Sequence, residues 1–301
     1  MNGYNHAEYA WSLQRYGQPR KLQYCEGWML ERQTPGGNYK DAMGLYPFFV
    51  CEDWSKLPRD LEELSQEVVC AYMVTDPFAD LDLSMLQEYF RDVFKSFKQH
   101  YVVDLSIPLE EIGGKRRRKH ARKALNKLEM EVIEEPFTQI DDWMKVYDVL
   151  IDKHEIKGIR AFSRDSFLRQ FRIPGTIMIR ALSSGKTVGA QIYLTQGDVV
   201  HAHLGACTQE GYDLDATYAL DFYSFQYFRD KARWVDLGGG IGLSNDGLDG
   251  LSQYKSWWAT NTRQTYFCGR IFDHEKYHAL KKRENIPPTQ YFPAYRFGEF
   301  S

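Results

Sequence analysis

The sequence predicts an α+β fold of layered sheets and helices, arranged as two tandem domains that each hold a mixed β-sheet flanked by helices. The chain has 301 residues, close to the length of two ordinary domains. Residues 68–105 and 199–237 both read as an apolar strand, an acidic loop, an aromatic-rich helix and a second strand that ends in Val-Asp-Leu. This internal echo in order, length and ending indicates two copies of one α/β unit.

The first half begins with two runs that are typical of strands, residues 23–33 and 44–52. A short helix is predicted at 60–67, because Pro58 stands where a helix begins. The first copy of the echo then follows at residues 68–105. This order predicts strands and helices mixed within one layered domain.

The second half begins with predicted helices at 139–154 and 163–171. Three strands follow, at 176–182, 187–195 and 199–207, and the short turns between them predict a meander. A helix and a last strand, 233–237, complete the second copy of the echo. Helices, then a meander, then a strand–helix–strand unit are typical of an α+β domain.

A basic segment separates the two halves, so we predict domains at 1–112 and 131–301 joined by a linker helix at 113–130. Gly113-Gly114 would form a hinge. Ala121, Ala124 and Leu128 recur at helical spacing on one face. The cations of the linker favour either a solvated charged face or a contact with phosphate or RNA, for which the candidates are Arg116, Arg117 and Lys123.

Composition excludes several classes of protein. Lys and Arg number 38 against 41 Asp and Glu, so the net charge of −3 does not indicate a global nucleic-acid-binding polycation. Neither an export signal nor an 18-residue apolar run is visible, and we expect a cytoplasmic protein without membrane insertion. The five cysteines form no CxxC pair and are expected to be reduced and buried, with no metal site.

The stretch Asp236-Leu237-Gly238-Gly239-Gly240-Ile241-Gly242 reads like a nucleotide-binding loop after a strand. Too few residues follow Gly242 to complete a doubly wound sheet. The acid expected about 20 residues further on, to hold a ribose, is also missing. We therefore expect these glycines to have a structural role.

Four segments in this order resemble the GNAT superfamily and, within it, the FemAB-like proteins. They are RRKHARKA, GKTVGAQIYLTQGDVVHAHLGA, DATYALDFYSFQYF and VDLGGGIGLSNDGLDGLSQYKSWW. The resemblance covers residues 115–270 well and the first domain more weakly. It implies two tandem GNAT-like domains and an N-acyltransferase that moves an acyl or aminoacyl group to a primary amine of a cell-wall (peptidoglycan) precursor or another small molecule.

The resemblance also implies where the donor, acyl-CoA or aminoacyl-tRNA, would bind. Strands 199–207 and 233–237 would splay apart around its amide arm. Its phosphates would lie at the start of the following helix; the donor-binding candidates are Gln209, Gly211, Asp215 and Ala216. The loop departs from the coenzyme A pattern, because its glycine is displaced and its acids would repel a pyrophosphate. Aminoacyl-tRNA is therefore an alternative donor, and helix capping is an alternative role for the acids.

The catalytic candidates are Lys255, Tyr254 and His203. The resemblance assigns to the Tyr254-Lys255 pair a place near the acceptor, where Lys255 would stabilise an oxyanion or a substrate phosphate. Strand alternation predicts that His201, His203 and Cys207 share the face opposite the core. His203 is then a candidate base, or else a structural histidine.

Candidates for acceptor binding are Tyr193, Trp257 and Trp258, with packing in the core as the alternative for at least one tryptophan. Asp236 is expected to share a structural role with Asp104, its counterpart in the echo. Two further functional hypotheses stay open: a non-catalytic binding module with a GNAT-like fold, and an RNA-binding protein that uses the linker helix.

Overall fold

A computed structural model describes residues 2–240 and 249–299. The strands are β1 Gln18–Lys21, β2 Trp28–Gln33, β3 Lys40–Gly44, β4 Cys70–Val74, β5 Val93–Asp104, β6 Glu129–Ile133, β7 Thr176–Ser183, β8 Lys186–Gln196, β9 Val199–Cys207, β10 Trp234–Asp236 and β11 Asn261–Ile271. The helices are α1 Ala7–Ser12, α2 Leu57–Leu64, α3 Leu83–Tyr89, α4 Lys115–Leu125, α5 Ile140–His154, α6 Arg164–Gln170, α7 Gln209–Asp213, α8 Ala216–Phe228, α9 Gly250–Ser256 and α10 His274–Arg283. This mixed architecture confirms the predicted fold class.

The chain divides into two compact units that are not contiguous in sequence. Unit 1 comprises Met1–Gly3 and Gln99–Arg263, and unit 2 comprises Tyr4–Lys98 and Gln264–Ser301. The chain passes from one unit to the other within β5 and again within β11. The linker helix predicted at 113–130 is shorter in the structure, since α4 ends at Leu125 and β6 begins at Glu129. Helix α4 belongs to unit 1, whereas residues from 264 onward group with the N-terminal part of the chain. The domain boundaries at 112 and 130 stay a prediction.

The sheet of unit 1 has the order β5-β10-β9-β8-β7-β6. Strands β6 to β9 form a continuous antiparallel meander, which confirms the meander predicted for β7 to β9 and adds β6 to it. Strand β10 pairs in parallel with β9 and in antiparallel with β5, which makes the sheet mixed. The β7–β8 turn uses Ser184 and Gly185, both at positive φ, and this matches the right-handed twist of the hairpin.

Helices α4 and α8 pack together over the core of unit 1. The apolar face predicted for the linker is confirmed, since Ala121, Ala124 and Leu128 are all buried there. They lie in one cluster with Phe225 and Trp258. Helix α5 packs against β8 and β9. These layers fix the strand ends that carry the polar residues described below.

The two Val-Asp-Leu endings of the echo pair with each other, because Val103 lies opposite Val235 in the ladder between β5 and β10. Their aspartates differ in environment. Asp104 forms an ion pair with the half-exposed Arg233 at 2.7 Å, whereas Asp236 is buried against histidines. The two acids therefore make different structural contacts, and their expected shared role stays a prediction.

Unit 2 has the strand order β1-β2-β3-β4-β11. The predicted strand at 23–33 is shorter in the structure, where β2 begins at Trp28. The strand predicted at 44–52 is wrong: β3, Lys40–Gly44, pairs with β2 instead. The turn between them contains Gly36 and Gly37, both at positive φ, and the polar start of β3 concealed the strand from an apolar pattern.

All five cysteines are free and buried. Among the described residues, no helix has the length and apolar character that a membrane crossing requires. Within the same residues, no group of three or more His, Cys, Asp or Glu side chains is arranged to hold a metal ion.

Candidate active site

The candidate site lies where β9 and β10 separate. Their parallel ladder covers three residue pairs, from Trp234 opposite Val199 to Asp236 opposite His201. Strand β9 continues to Cys207, while the chain after β10 turns away through Leu237 and the glycines. Two strands that part within a sheet provide an edge along which an extended ligand can bind.

Asp236 is the last residue of β10 and lies at the point where β9 and β10 separate, called the fork below. It accepts hydrogen bonds from two histidines. Its carboxylate lies 2.9 Å from His100 Nδ1 and 3.0 Å from His201 Nδ1, and it also accepts from the Gly238 N–H at 2.8 Å. Burial alone would raise the pKa of Asp236, but His100 and His201 outweigh burial and hold the pKa far below its usual value. Asp236 therefore remains an anion and anchors the end of β10.

A second buried carboxylate, Asp221 of α8, has neutral partners. Gln191 Nε2 donates to Asp221 Oδ1 at 2.7 Å, and the Tyr254 hydroxyl donates to Asp221 Oδ2 at 2.6 Å. The Tyr193 hydroxyl donates in turn to Gln191 Oε1. Burial raises the pKa of Asp221, although both hydrogen bonds act in the opposite direction. A buried carboxylate of raised pKa is a better proton acceptor than an ordinary aspartate.

Helix α9 brings Tyr254 and Lys255 to the fork, and Asp249 caps its N-terminus by accepting from the Ser252 N–H. Lys255 Nζ donates to the Gly239 carbonyl at 2.7 Å. Gly238 has φ +79°, and a Cβ there would lie 3.1 Å from the Lys255 ammonium. The glycines thus let the chain turn beneath the lysine. Ile241 and Gly242, the end of the predicted loop, lie outside the described residues.

Tyr254 is partly exposed as a residue, and its hydroxyl donates to the buried Asp221. Burial, reinforced by Asp221, raises the pKa of Tyr254 well above its usual value, and the phenol stays protonated at neutral pH. Its ring meets Tyr218 and Trp257 edge-on, with centroid distances of 5.4 and 5.9 Å.

The three residues predicted to bind the acceptor, Trp257, Trp258 and Tyr193, differ in how deeply they are buried. Trp257 is 37% exposed and carries the Arg117 guanidinium at 3.8 Å from its ring centroid. Trp258 is fully buried against Phe225, and Tyr193 is 1% exposed. Only Trp257 of the three can present a face to a ligand, whereas the other two pack in the core.

His203 lies apart from Tyr254 in its contacts. Its Nε2 is 3.2 Å from Gln170 Oε1, and its ring packs on Phe162 at 5.3 Å. Burial, with a smaller effect of His201, lowers the pKa of His203 to about 3. A base with such a pKa has little driving force at neutral pH, and this geometry favours a structural histidine.

The predicted face shared by His201, His203 and Cys207 is wrong. The β8–β9 register shifts beside Tyr193, which pairs with Ala202 while Ile192 pairs with Leu204. This bulge adds one residue and reverses the alternation. Cys207 consequently joins the core cluster with Val200, away from the histidines.

The segment predicted to bind donor phosphates forms helix α7. Thr208 caps it by accepting from the Gly211 N–H at 3.1 Å, and Gln209 donates to Asp213 at 2.9 Å. A Cβ at Gly211 would lie 2.1 Å from the Val188 carbonyl oxygen, so this glycine serves close packing. These groups bind one another, and the segment does not form an open cradle for a pyrophosphate.

Helix α8 begins immediately after this segment. Its N-cap residue, Asp215, has φ 60°, and the carboxylate of Asp215 lies 3.0 Å from His120 Nδ1. Ala216, the first residue of the helix, is fully buried. The Asp215 carboxylate makes no hydrogen bond to the N–H groups at the start of α8, so helix capping, the alternative role predicted for this acid, is wrong for Asp215. The ion pair with His120 instead ties α8 to the basic helix α4.

Helix α4 presents one sign of charge to solvent. Its exposed cations are Lys115, Arg116, Lys119, Arg122 and Lys123. None of them forms an ion pair with a carboxylate in the part of the chain that the structure describes. This arrangement fits a polyanion better than a structural salt-bridge network.

Comparison with known proteins yields no matching family model and no matching curated protein. Solved structures do match. FemX has a TM-score of 0.71 at 11% identity, over 92% of this chain and 94% of its own. The C-terminal domain of a putative lysylphosphatidylglycerol synthetase from Agrobacterium fabrum has a TM-score of 0.62 at 16% identity, over 87% of both chains.

L-PGS from Bacillus licheniformis also has a TM-score of 0.62 at 16% identity, over 87% of this chain and 86% of its own. These likenesses show that the chain shares the fold of these proteins, in agreement with the GNAT-like architecture that the sequence resembles. The match to FemX extends over nearly the whole of both chains.

Sequence reasoning missed Asp221, Gln191 and His100. One signal was available for Asp221, because it is the only charged residue in the apolar helix α8. A single acid in such a helix is either paired or functional. Gln191 and His100 lie in strands of ordinary polarity and carried no comparable signal.

Proposed function

We propose that this protein is a cytoplasmic FemAB-like N-acyltransferase, which transfers an acyl or aminoacyl group to a primary amine of a cell-wall precursor or another small molecule. The observation that carries the proposal is the group of Tyr254, Lys255 and Asp221 beside the strand fork. The fold shared with FemX supports it, as does the likeness to a putative lysylphosphatidylglycerol synthetase, whose name denotes aminoacyl chemistry.

Lys255 is proposed to stabilise the oxyanion that forms when the amine attacks the donor carbonyl. Lys255 is partly exposed, and its ammonium donates to the Gly239 carbonyl at 2.7 Å. A preorganised cation at the developing negative charge is among the largest contributions to acyl transfer.

Tyr254 and Asp221 are proposed to remove the proton of the attacking amine. As nitrogen bonds to the carbonyl carbon, its proton passes to the Tyr254 oxygen while the phenolic proton passes to Asp221. The 2.6 Å hydrogen bond and the raised pKa of Asp221 support this relay. Collapse of the tetrahedral intermediate then expels the donor's leaving group, which takes up the proton.

Aminoacyl-tRNA is the donor that we propose over acyl-CoA. The closed, acidic α7 segment argues against a pyrophosphate there, because Glu210 and Asp213 would repel it. The exposed cations of α4, including Arg116 and Lys123, would contact the RNA backbone, and Arg117 beside Trp257 would face its terminal nucleotide.

The test compares turnover of a Lys255→Ala variant with that of Lys186→Ala, which removes an exposed lysine at the start of β8. Acyl-CoA and aminoacyl-tRNA donors are each supplied with a panel of primary amines. We expect Lys255→Ala to lower turnover about 100-fold with an unchanged melting temperature, and Lys186→Ala to have no effect. Equal turnover of both variants would remove Lys255 from the mechanism.

A non-catalytic RNA-binding module is the second candidate, favoured by the unpaired cations of α4. It predicts tRNA affinity that falls with salt and with charge reversal at Arg116 and Lys123, but no transfer with any donor. Transfer of a labelled aminoacyl group to any amine of the panel would exclude it.

A further inference from the structure

Unit 2 contains a cavity of about 380 Å³ that the transferase proposal does not use. Its lining residues come from the turn after α1, from β1 to β3 and from the single helical turn at Ala294–Arg296. Four of them are cationic and one is acidic: Arg15, Arg32, Lys40 and Arg296, with Glu31. A volume of this size is typical of small-molecule sites.

Two of the cations, Arg32 and Arg296, are buried guanidinium groups with fixed orientations. Arg32 donates to the Tyr16 carbonyl at 3.0 Å and to the Tyr72 hydroxyl at 2.8 Å, and its side chain is 6% exposed. Arg296 donates to Asp41 at 2.7 Å, and its side chain is 8% exposed. Rigid, desolvated guanidinium groups bind planar or tetrahedral oxyanions well.

Both guanidinium groups also form ion pairs with the carboxylate of Glu299. It pairs with Arg32 and lies 3.6 Å from Arg296, and its side chain is 28% exposed. Glu299 thus places an oxyanion between two arginines at the cavity. A ligand anion with more oxygens and more charge would make stronger bonds to the same two groups.

The remaining charges leave the cavity cationic. Lys40 pairs with Glu31 at 3.0 Å, whereas Arg15 is exposed and makes no ion pair among the described residues. The amide side chains of Gln14, Gln18 and Gln33 are exposed at the lining and offer both donors and acceptors. Such amides suit the hydroxyl groups of a polar body next to the anion.

We propose that this cavity binds a small phosphate ester with a hydroxylated body, such as a sugar phosphate. Its phosphate takes the position of the Glu299 carboxylate between Arg32 and Arg296, and Arg15 supplies a further cation. Glu299 then competes with the ligand, and its removal strengthens binding.

The experiment measures the dissociation constant of glucose 1-phosphate by calorimetry on the full chain. Inorganic phosphate tests whether the anion alone suffices, and glucose serves as the uncharged control. The variants are Arg15→Ala, Glu299→Gln and, as a matched control, Arg91→Ala, which removes an exposed arginine of unit 2 outside the cavity. Thermal unfolding without ligand verifies that each variant is folded.

We expect Arg15→Ala to weaken binding of glucose 1-phosphate about tenfold, as for the loss of one charged hydrogen bond. Glu299→Gln should tighten it several-fold, Arg91→Ala should leave it within about twofold, and glucose should not bind. Absence of saturable binding of glucose 1-phosphate, equal weakening by Arg15→Ala and Arg91→Ala, or weaker binding by Glu299→Gln would each overturn the proposal. Equal affinity for inorganic phosphate would overturn the part played by the hydroxylated body.

Discussion

Asp221 and Asp236 are two buried carboxylates of unit 1 with opposite electrostatics. Asp236 is 2% exposed and Asp221 is 4% exposed, so burial affects both strongly. The partners of Asp236 are two histidines and a backbone N–H, and its pKa is lowered. Those of Asp221 are an amide and a phenol, and its pKa is raised. The partners, not the depth of burial, decide which carboxylate can accept a proton.

The same contrast distinguishes a carboxylate with a structural role from one that can take part in catalysis. An anion held by histidines at the end of β10 stabilises the fork but gains nothing from taking up a proton. A carboxylate behind a partly exposed tyrosine is costly to keep ionised, and it is relieved when a proton arrives. We therefore expect the two positions to respond differently to the same change from aspartate to asparagine.

The largest expected effect is on catalysis, in Asp221→Asn. Turnover should fall about 100-fold, because asparagine cannot accept the proton that Tyr254 passes on. The free energy of unfolding at pH 7 should stay the same or rise, since the folded state no longer holds an anion of raised pKa. Single-turnover transfer assays and urea unfolding measure the two quantities.

The exposed Asp230, just beyond α8, offers a matched control as Asp230→Asn. If Asp221→Asn kept the turnover of Asp230→Asn, the proton relay would be refuted. A marked loss of stability in Asp221→Asn would instead make this carboxylate an anchor like Asp236, and the contrast between the two regions would disappear.

Asp236→Asn should lower the free energy of unfolding by about 3 kcal/mol at pH 7, because it leaves buried histidines without their anion. The folded-state pKa of Asp236 lies below the unfolded value of about 3.9. Its stabilisation is therefore present above that value and is lost as the pH falls towards the folded pKa. Urea unfolding of the wild-type protein and of Asp236→Asn from pH 7 to pH 3 checks this. The difference between their free energies of unfolding should become smaller at the acid end.

A smaller effect, on the pH dependence of stability, is expected at His203. Its size distinguishes a structural histidine from a catalytic base. Its folded pKa of about 3 lies below the ordinary value, so the unfolded chain binds the additional proton between these two pH values. Stability should fall by about 1 kcal/mol from pH 7 to pH 5, after allowance for the partial exposure of the ring.

His203→Gln should remove that loss and leave turnover at pH 7 nearly unchanged, whereas His274→Gln, at an exposed histidine, should leave the pH dependence as it is. A large fall in turnover of His203→Gln at constant stability would restore His203 as the base.

Much of the fold followed from local pattern. The meander β7–β9 and the helices α5 and α6 were predictable because alternating or helical apolar spacing is a property of neighbouring residues. The hairpin β2–β3 was not, since the polar residues Lys40 and Asp41 begin β3, and the burial of Asp41 depends on distant parts of unit 2. The bulge in β9 likewise left no trace in composition, and it moved Cys207 to the other face.

By itself, the sequence determined the α+β class, the buried reduced cysteines, the basic helix and the place of the Tyr254-Lys255 pair within a recognisable order of segments. Only the tertiary structure decided which carboxylates are buried and with what partners. His100 and Asp236 are separated by 136 residues, and Tyr254 and Asp221 by 33. The pKa of a buried group depends on charges and donors within a few ångströms, and chain folding alone brings these together.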